Sequence, residues 1–281
     1  MELIERKIKV NGLELHFVEA GEGEVMIFMH NGGGFWQSWE HQLNYFKATH
    51  KVIGLDWPGF GESELPQGML TLDLLTETLK RFIEIRGFEK VILVGNCIGA
   101  SAALKYTIEN PLRVKKLVVM NVCPGDHIFP PFIFRKWIPK VHKKPRLQKR
   151  LSSLAKFIVS KTPAKRQFPK ILFAKRPDRS TALWKKYEIK FKTENQTTSR
   201  LNLFFSAHTY NLLKYLPKEN IPPMLLVWGK ENAVTKYKTD GLYHVAKLKP
   251  EKFVLIDKGG HLFMYEKPDE VNALIVNYIS N

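Results

Sequence analysis

The chain has 281 residues with 44 Lys or Arg and 27 Asp or Glu, which gives a formal net charge of +17 at pH 7. A hydrophobic content of 44% excludes a wholly disordered chain, and the length suffices for one large domain or two small ones. Two cysteines are too few for a disulfide framework, so a reducing, cytoplasmic location is expected. The first ten residues have no apolar signal-peptide core, and no apolar run reaches the roughly 18 residues that a membrane helix needs.

Short apolar runs separated by turn signals dominate the two ends of the chain. Such runs are typical of strands buried on both faces of a mainly parallel sheet, and their alternation with helix-like stretches predicts an α/β layered domain. After an alternating first strand in MELIERKIKV, the predicted strands are VMIFMH, KVIGLDW, KVILVGN, KKLVVMN, MLLVWG and KFVLID.

The middle of the chain differs in both pattern and charge. Residues 126–200 hold 21 basic and 4 acidic side chains, whereas residues 1–125 hold 13 and 15 and residues 201–281 hold 10 and 8. Prolines interrupt the short amphipathic stretches of this segment, and strand signals resume after it. We therefore predict a core formed by residues 1–123 and 220–281, with a basic helical cap inserted at residues 124–219.

One motif, Gly95-Asn96-Cys97-Ile98-Gly99-Ala100, lies between a predicted strand and a helical stretch. So tight a strand-to-helix turn needs small residues two before and two after its apex, and Gly95 and Gly99 meet that need. The apex, Cys97, would lie at a helix N-terminus, where the helix dipole lowers the pKa of a thiol. Taken alone, a buried structural cysteine is the simpler interpretation.

Two further glycine motifs follow predicted strands. In His30-Asn31-Gly32-Gly33-Gly34, consecutive small residues leave backbone N–H groups free to bind an oxyanion, although a flexible turn explains the motif equally well. In Gly259-Gly260-His261, the glycines allow the imidazole to approach a neighbouring strand end, although a lone histidine at a helix start is more often structural. The turn DWPGFGES after KVIGL is interpreted as scaffold.

In combination these motifs resemble the α/β-hydrolase superfamily. The matching elements are HNGGG, DWPGFGES, GNCIGA, VWGKEN and GGHLFMYEKPDEVN, in the family's order, and they cover residues 1–123 and about 220–281. The resemblance implies a mostly parallel eight-stranded sheet with flanking helices and a helical cap inserted after the sixth strand. It also implies the chain order nucleophile, acid, histidine.

The apex residue departs from the family pattern. Most members carry serine there, and the dehalogenase and epoxide hydrolase branches carry aspartate, whereas this chain has Cys97. A thiolate nucleophile implies acyl chemistry through a thioester, with His261 as its base and the N–H groups of Ile98 and of Asn31 or Gly32 as the oxyanion hole. Hydrolysis of an ester or thioester is therefore predicted, with an acyltransferase and a non-catalytic ligand-binding protein as alternatives.

The acid position departs as well. The family usually places aspartate three residues after the glycine of VWGKEN, where this chain has Asn232. Asn232 would orient His261 as a neutral amide, as in Cys-His-Asn proteases. Glu231, or Asp126 after the sixth strand, are the alternatives. For the second cysteine, Cys123, the alternatives are a regulatory disulfide with Cys97 and a buried bystander, and the second is the simpler one under reducing conditions.

The basic segment at residues 126–200 admits several partners. The simplest interpretation is a solvated surface that keeps the protein soluble. An anionic membrane surface is favoured by aromatic residues beside Lys and Arg in HIFPPFIFRKWIP, which would place the protein at the membrane periphery. An acidic carrier protein or a coenzyme A thioester is the third partner, and the apolar cap residues suggest an apolar acyl group. No nucleic-acid-binding module accompanies the charge, so nucleic acid is not expected, and neither is a cofactor or a metal.

Overall fold

The computed structural model describes residues 2–125, 144, 147, 150, 172–174, 181–191, 193–212, 216 and 222–280. Much of the predicted cap, with Asp126, lies outside the described residues, and so do the first and last residues of the chain. The predicted boundaries between core and cap therefore stay a prediction.

Eight strands form a single sheet, and all the predicted strands are among them. In chain order they are β1 Ile4–Val10, β2 Leu13–Ala20, β3 Val25–Met29, β4 Lys51–Leu55, β5 Val91–Asn96, β6 Val114–Met120, β7 Leu225–Gly229 and β8 Lys252–Ile256. Their order across the sheet is β1-β2-β4-β3-β5-β6-β7-β8. β1 pairs antiparallel with β2, and β2 with β4, while all the other pairings are parallel. The predicted eight-stranded, mostly parallel α/β sheet is confirmed.

Helices cover both faces of the sheet. The described α-helices are α1 Glu40–Phe46, α2 Leu72–Ile85, α3 Ile98–Glu109, α4 Ala182–Lys190, α5 Glu194–Ser206, α6 Leu242–Leu248, α7 Phe263–Glu266 and α8 Pro268–Ile279. α4 and α5 come from the chain between β6 and β7, so a helical insertion follows the sixth strand as predicted. Each begins after a threonine, Thr181 or Thr193, whose hydroxyl accepts a hydrogen bond from an N–H of the first turn.

Two apolar clusters pack against the two faces of the sheet. Along β3, Ile27 and Met29 enter the cluster that contains α2 and α3, whereas Met26 and Phe28 enter the cluster that contains α1 and α8. This alternation follows from the two-residue period of a strand. Because both faces are covered, the strands read as continuous apolar runs in the sequence.

The parallel strands bring their carboxyl ends to one edge of the sheet. β3, β5, β6, β7 and β8 end there, and the loops that follow them carry the glycine and cysteine motifs of the sequence. Loops at the carboxyl ends of such sheets are where α/β proteins bind their ligands. The candidate site is therefore at this edge, beneath the described part of the cap.

Candidate active site

Cys97 is the apex of a sharp turn between β5 and α3. Its φ of +55° lies in the left-handed region, which is strained for a residue with a side chain. A Cβ on Gly95 would lie 2.5 Å from the carbonyl carbon of Gly99, and a Cβ on Gly99 would lie 2.4 Å from the carbonyl oxygen of Met29. Neither glycine position has room for a side chain, so the turn depends on both.

Three groups surround the sulfur of Cys97, which is 4% exposed. The Cys123 thiol, the His261 imidazole and the backbone N–H of Gly32 each lie close enough to the Cys97 thiol to lower its pKa. The hydrogen bond from Cys123, followed by the hydrogen bond and charge of His261, holds the pKa of Cys97 well below the ordinary range of a thiol, despite the opposing effect of burial. Thiolate is therefore favoured at this position.

His261 follows β8, and Asn232 holds its imidazole ring in place. The Nδ1 atom of His261 lies 3.2 Å from Oδ1 of Asn232. That amide oxygen also accepts hydrogen bonds from the N–H groups of Val234 and Thr235, and the Asn232 amide nitrogen donates to Thr235 Oγ1 at 2.7 Å. The network fixes the orientation of the amide, so Nδ1 of His261 is the donor.

Two of the three candidates for the acid position lie among the described residues. Asn232 contacts His261, and Asp126 lies outside the described residues. Glu231 donates its backbone N–H to the Gly259 carbonyl. Burial, and to a smaller extent the charge of Glu231, raise the pKa of Glu266.

Two buried asparagines hold the backbone of His261. The Nδ2 atoms of Asn96 and Asn121 lie 3.0 Å and 3.1 Å from its carbonyl oxygen, and Asn121 also donates to the side-chain oxygen of Asn96. Asn121 Oδ1 accepts the N–H of Gly229 at the end of β7. The pair joins the ends of three strands to the histidine loop. Sequence reasoning missed this role, although each asparagine follows an apolar run directly.

Glu266 ties the histidine loop to the cap. Its two carboxylate oxygens accept the N–H of Gly260 at 2.8 Å and the N–H of Ala174 at 2.6 Å, and the N–H of Leu262 donates to the carbonyl of Leu172. Residues 172–174 of the cap segment therefore lie directly against His261. Sequence reasoning did not single out Glu266, whose only signal is its place in the last motif.

A second histidine shapes the glycine loop after β3. His30 donates from Nδ1 to the Asn31 carbonyl at 2.7 Å and accepts the N–H of Trp57 on Nε2 at 3.0 Å. Burial lowers the pKa of His30, so the ring is neutral and both nitrogens are used. This arrangement fixes the direction of the Gly32 N–H. The side chain of Asn31 is buried and accepts a long hydrogen bond, 3.4 Å, from the Tyr187 hydroxyl.

Cap residues close the site from above. Leu203 of α5 lies over Gly32, where a Cβ would meet its methyl group at 2.5 Å, and Phe191 and Arg200 lie over Gly33. Arg200 stacks on the Phe191 ring and donates to the Phe191 carbonyl at 2.8 Å. Burial lowers the pKa of Arg200 to about 10, which leaves the guanidinium charged at neutral pH. The described residues over the glycine loop are therefore mainly apolar, with one half-buried cation.

Within the described residues, no three His, Cys, Asp or Glu side chains are grouped to hold a metal ion. Among the helices of the same residues, none is both long and apolar enough to cross a membrane.

Comparisons with known proteins identify the family. Residues 24–268 match the model of the alpha/beta hydrolase fold. The chain is 28% identical over 283 residues to epoxide hydrolase 4 of Mus musculus, covering 96% of this chain and 77% of the relative. It is 24% identical over 283 residues to 2-hydroxy-6-oxo-6-phenylhexa-2,4-dienoate hydrolase of Comamonas testosteroni, covering 94% and 91%. The solved structure of the enzyme of that name from Rhodococcus sp. strain RHA1 superposes with a TM-score of 0.78 at 17% identity, covering 100% of this chain and 99% of that one.

The chain therefore belongs to the alpha/beta hydrolase fold family, and its activity class is that of a hydrolase. Both the fold and the family implied by the sequence motifs are confirmed.

Proposed function

We propose that the protein hydrolyses an ester or thioester through a covalent thioester on Cys97. The observation that carries this proposal is the environment of Cys97 at the apex of the turn, where His261 and the N–H of Gly32 both lower the pKa of the thiol. Acyl transfer to a side chain requires a nucleophile, a base and an oxyanion donor that lie close together.

Formation of the thioester begins with the thiolate. Cys97 attacks the acyl carbon, and the carbonyl oxygen becomes an oxyanion that accepts hydrogen bonds from the N–H groups of Gly32 and Ile98. Ile98 is the first residue of α3, where backbone N–H groups have no partner within the helix. Each such donor contributes roughly 3 kcal/mol to the stability of the transition state. The N–H of Asn31 stays the predicted alternative to that of Gly32, and the Asn31 carbonyl accepts a hydrogen bond from His30.

His261 moves the protons of both half-reactions. Because Nδ1 donates to Asn232, Nε2 is the atom available to Cys97 and to the leaving group. His261 as imidazolium protonates the departing alcohol or thiol, and as neutral imidazole it takes a proton from the water that attacks the thioester. Asn232 stays neutral and keeps the ring in the required tautomer.

A cysteine nucleophile argues against turnover of epoxides, although several relatives are named epoxide hydrolases. A carboxylate that opens an epoxide forms an ester, whose carbonyl carbon water can then attack. Cys97 would form a thioether, which has no carbonyl and does not release its alkyl group. We therefore infer that an epoxide inactivates this protein whereas an acyl ester is turned over.

The apolar groups near the site favour an apolar acyl group. Leu203 and Phe191 lie over the glycine loop, and the Tyr187 ring packs on both Phe35 and Phe191. Burial of apolar surface contributes about 25 cal/mol per Å², so an aliphatic or aromatic acyl chain would gain affinity here.

A second candidate, acyl transfer, is favoured by one observation. Cys97 is only 4% exposed, and closure by the cap limits access of water to a thioester. In that case a thiol or an alcohol would enter as the acceptor. If the acyl group is released only after such an acceptor is added, the activity is acyl transfer and not hydrolysis.

The basic segment at residues 126–200 is proposed to attract an anionic acyl donor, carrier protein or membrane surface. Three of its described cations contact the core or the cap itself: Lys190 pairs with Glu62, Lys186 lies over the rings of Phe35 and Trp36, and Arg200 donates to Phe191. Binding to anionic vesicles that weakens steeply with salt would support the membrane as the partner.

A substrate panel tests the proposal. Aryl esters of graded acyl length, acyl thioesters and an aryl epoxide are incubated with the wild type and with Cys97→Ala. We expect ester and thioester hydrolysis to fall about a thousandfold or more in the variant. We expect the epoxide to form an adduct with the wild type and to release no diol. Diol release by the wild type, or equal turnover by both proteins, would overturn it. Absence of turnover and of adducts would favour a ligand-binding protein.

A further inference from the structure

We propose that Cys97 and Cys123 form a redox-active dithiol: a hydroperoxide oxidises Cys97, and Cys123 then closes an intrachain disulfide with it. The modification would block the site until a thiol reductant restores it. This chemistry is separate from hydrolysis and does not require that Cys97 be acylated.

The two thiols meet because β5 and β6 are neighbours in the parallel sheet. Asn96 pairs with Met120 at the ends of these strands, and the N–H of Cys97 donates to the Met120 carbonyl at 2.9 Å. Cys123 follows Met120 by three residues and is buried in the same apolar cluster as Cys97, near enough for each thiol to shift the pKa of the other. Both cysteines are free and buried in this structure.

The environments of the two sulfurs suit different roles. The hydrogen bonds from Cys123 and His261 hold the pKa of Cys97 low, so the thiolate that attacks a peroxide is available. Burial and the hydrogen bond to Cys97 raise the pKa of Cys123 well above its ordinary range, so it stays protonated until Cys97 is oxidised. The N–H of Gly125 donates to the Cys123 sulfur and would stabilise negative charge that develops there.

The oxidation balances in two steps. The Cys97 thiolate attacks one oxygen of hydrogen peroxide, the O–O bond breaks, and the departing hydroxide takes a proton from the His261 imidazolium and leaves as water. Cys97 is then a sulfenic acid. The Cys123 sulfur attacks the Cys97 sulfur, the S–O bond breaks, and the hydroxyl leaves as water with the proton of Cys123. Two thiols are oxidised and one peroxide is reduced to two waters.

Burial favours closure within the chain over other fates of the sulfenic acid. Cys97 and Cys123 are 4% and 2% exposed, so a thiol bulkier than dithiothreitol does not reach either sulfur easily. Cys123 is already in contact, and an intramolecular partner acts at a high effective concentration. The expected product is therefore the disulfide, with little mixed disulfide and little sulfinic acid.

The test is intact mass and peptide mapping of the full chain after treatment with hydrogen peroxide. The wild type is expected to lose two hydrogens and to yield a peptide pair linked through Cys97 and Cys123, and dithiothreitol should restore the original mass. Cys123→Ser should instead add one oxygen at Cys97, trapped by dimedone, and then a second one. Cys97→Ser should react at least about tenfold more slowly, because the remaining thiol is protonated.

Added oxygens without a link in the wild type would overturn the proposal, as would oxidation of Cys123→Ser to the same product distribution as the wild type. Thermal melting of each variant checks that it is folded. Since the readout is mass and not turnover, a negative result here is distinguishable from failure of the proposed hydrolysis.

Discussion

His261 and Asn232 meet across the ends of β8 and β7, with Nδ1 of the imidazole 3.2 Å from Oδ1 of the amide. The same amide oxygen accepts two backbone N–H groups, so it cannot rotate away from the ring without breaking both bonds. An amide therefore occupies the position at which the resemblance to the family implies a carboxylate. It orients the histidine without adding a negative charge next to a cysteine thiolate.

Replacement of Asn232 by alanine is expected to lower kcat by about ten- to a hundredfold. The variant removes the acceptor that holds His261, and a hydrogen bond to a charged group contributes about 1.5–3 kcal/mol. Asn232→Asp keeps the acceptors for Val234 and Thr235 and should retain more activity than the alanine variant. Steady-state ester hydrolysis compares the two. A larger loss in Glu231→Ala than in Asn232→Ala would contradict the assignment.

Asn121→Ala should reduce both stability and turnover. The variant leaves the N–H of Gly229 without its buried acceptor and removes one donor to the His261 carbonyl. These losses should lower the free energy of unfolding by about 1–3 kcal/mol. Denaturant unfolding measures the stability, and kcat measures the position of His261. Because Asn121 acts through the histidine, KM should change less than kcat. Loss of stability with unchanged kcat would assign Asn121 a purely structural role.

Gly99→Ala should damage the protein more than Gly87→Ala. A Cβ at position 99 would lie 2.4 Å from the Met29 carbonyl oxygen, whereas nothing lies within 4 Å of a Cβ at position 87. Gly87 has a φ of +67°, so its substitution costs only the strain of a left-handed residue, about 1 kcal/mol. Thermal melting and ester turnover should both fall further in Gly99→Ala. Equal melting temperatures would show that the turn has more room than the structure gives it.

The pH dependence of alkylation reports the state of Cys97. Because the pKa of Cys97 lies well below the ordinary value of a thiol, iodoacetamide should react rapidly at pH values where a free cysteine is mostly protonated. Cys123→Ala removes the donor that stabilises the thiolate, so the pKa rises and the midpoint of the rate profile moves to higher pH. Cys123→Ser keeps an O–H donor and should show a smaller shift. An unchanged midpoint in both variants would exclude the hydrogen bond as the cause.

The strands and the glycine positions of this fold could be predicted from the sequence because each has a local signal. An apolar run such as VILV is buried on both faces, and Gly95 and Gly99 flank an apex that tolerates no larger neighbour. The prediction of Asn232, by contrast, depends on the resemblance to the family, which places the acid three residues after the glycine of VWGKEN. These signals depend on short stretches of chain and not on how distant segments pack.

Contacts between distant segments could not be predicted in the same way. Asn96 and Asn121 meet the His261 carbonyl only because β5, β6 and β7 are neighbours in register. The contact of Leu203 with Gly32 depends on the placement of α5. The sequence of this helix has no apolar pattern that indicates which part of the core it packs against. Such contacts arise from strand order and helix docking, which composition and periodicity do not encode locally.

The most direct test of the central claim is the mass of the enzyme during turnover. An activated aryl ester is mixed with the wild type and the reaction is stopped in acid within the first turnovers, when the thioester has formed but not all of it has been hydrolysed. We expect one added acyl group on the wild type, mapped to Cys97, and none on Cys97→Ala. In His261→Ala the acyl group should accumulate further, because no base activates the attacking water. An acyl group on another residue, or wild-type turnover by Cys97→Ala, would contradict the claim.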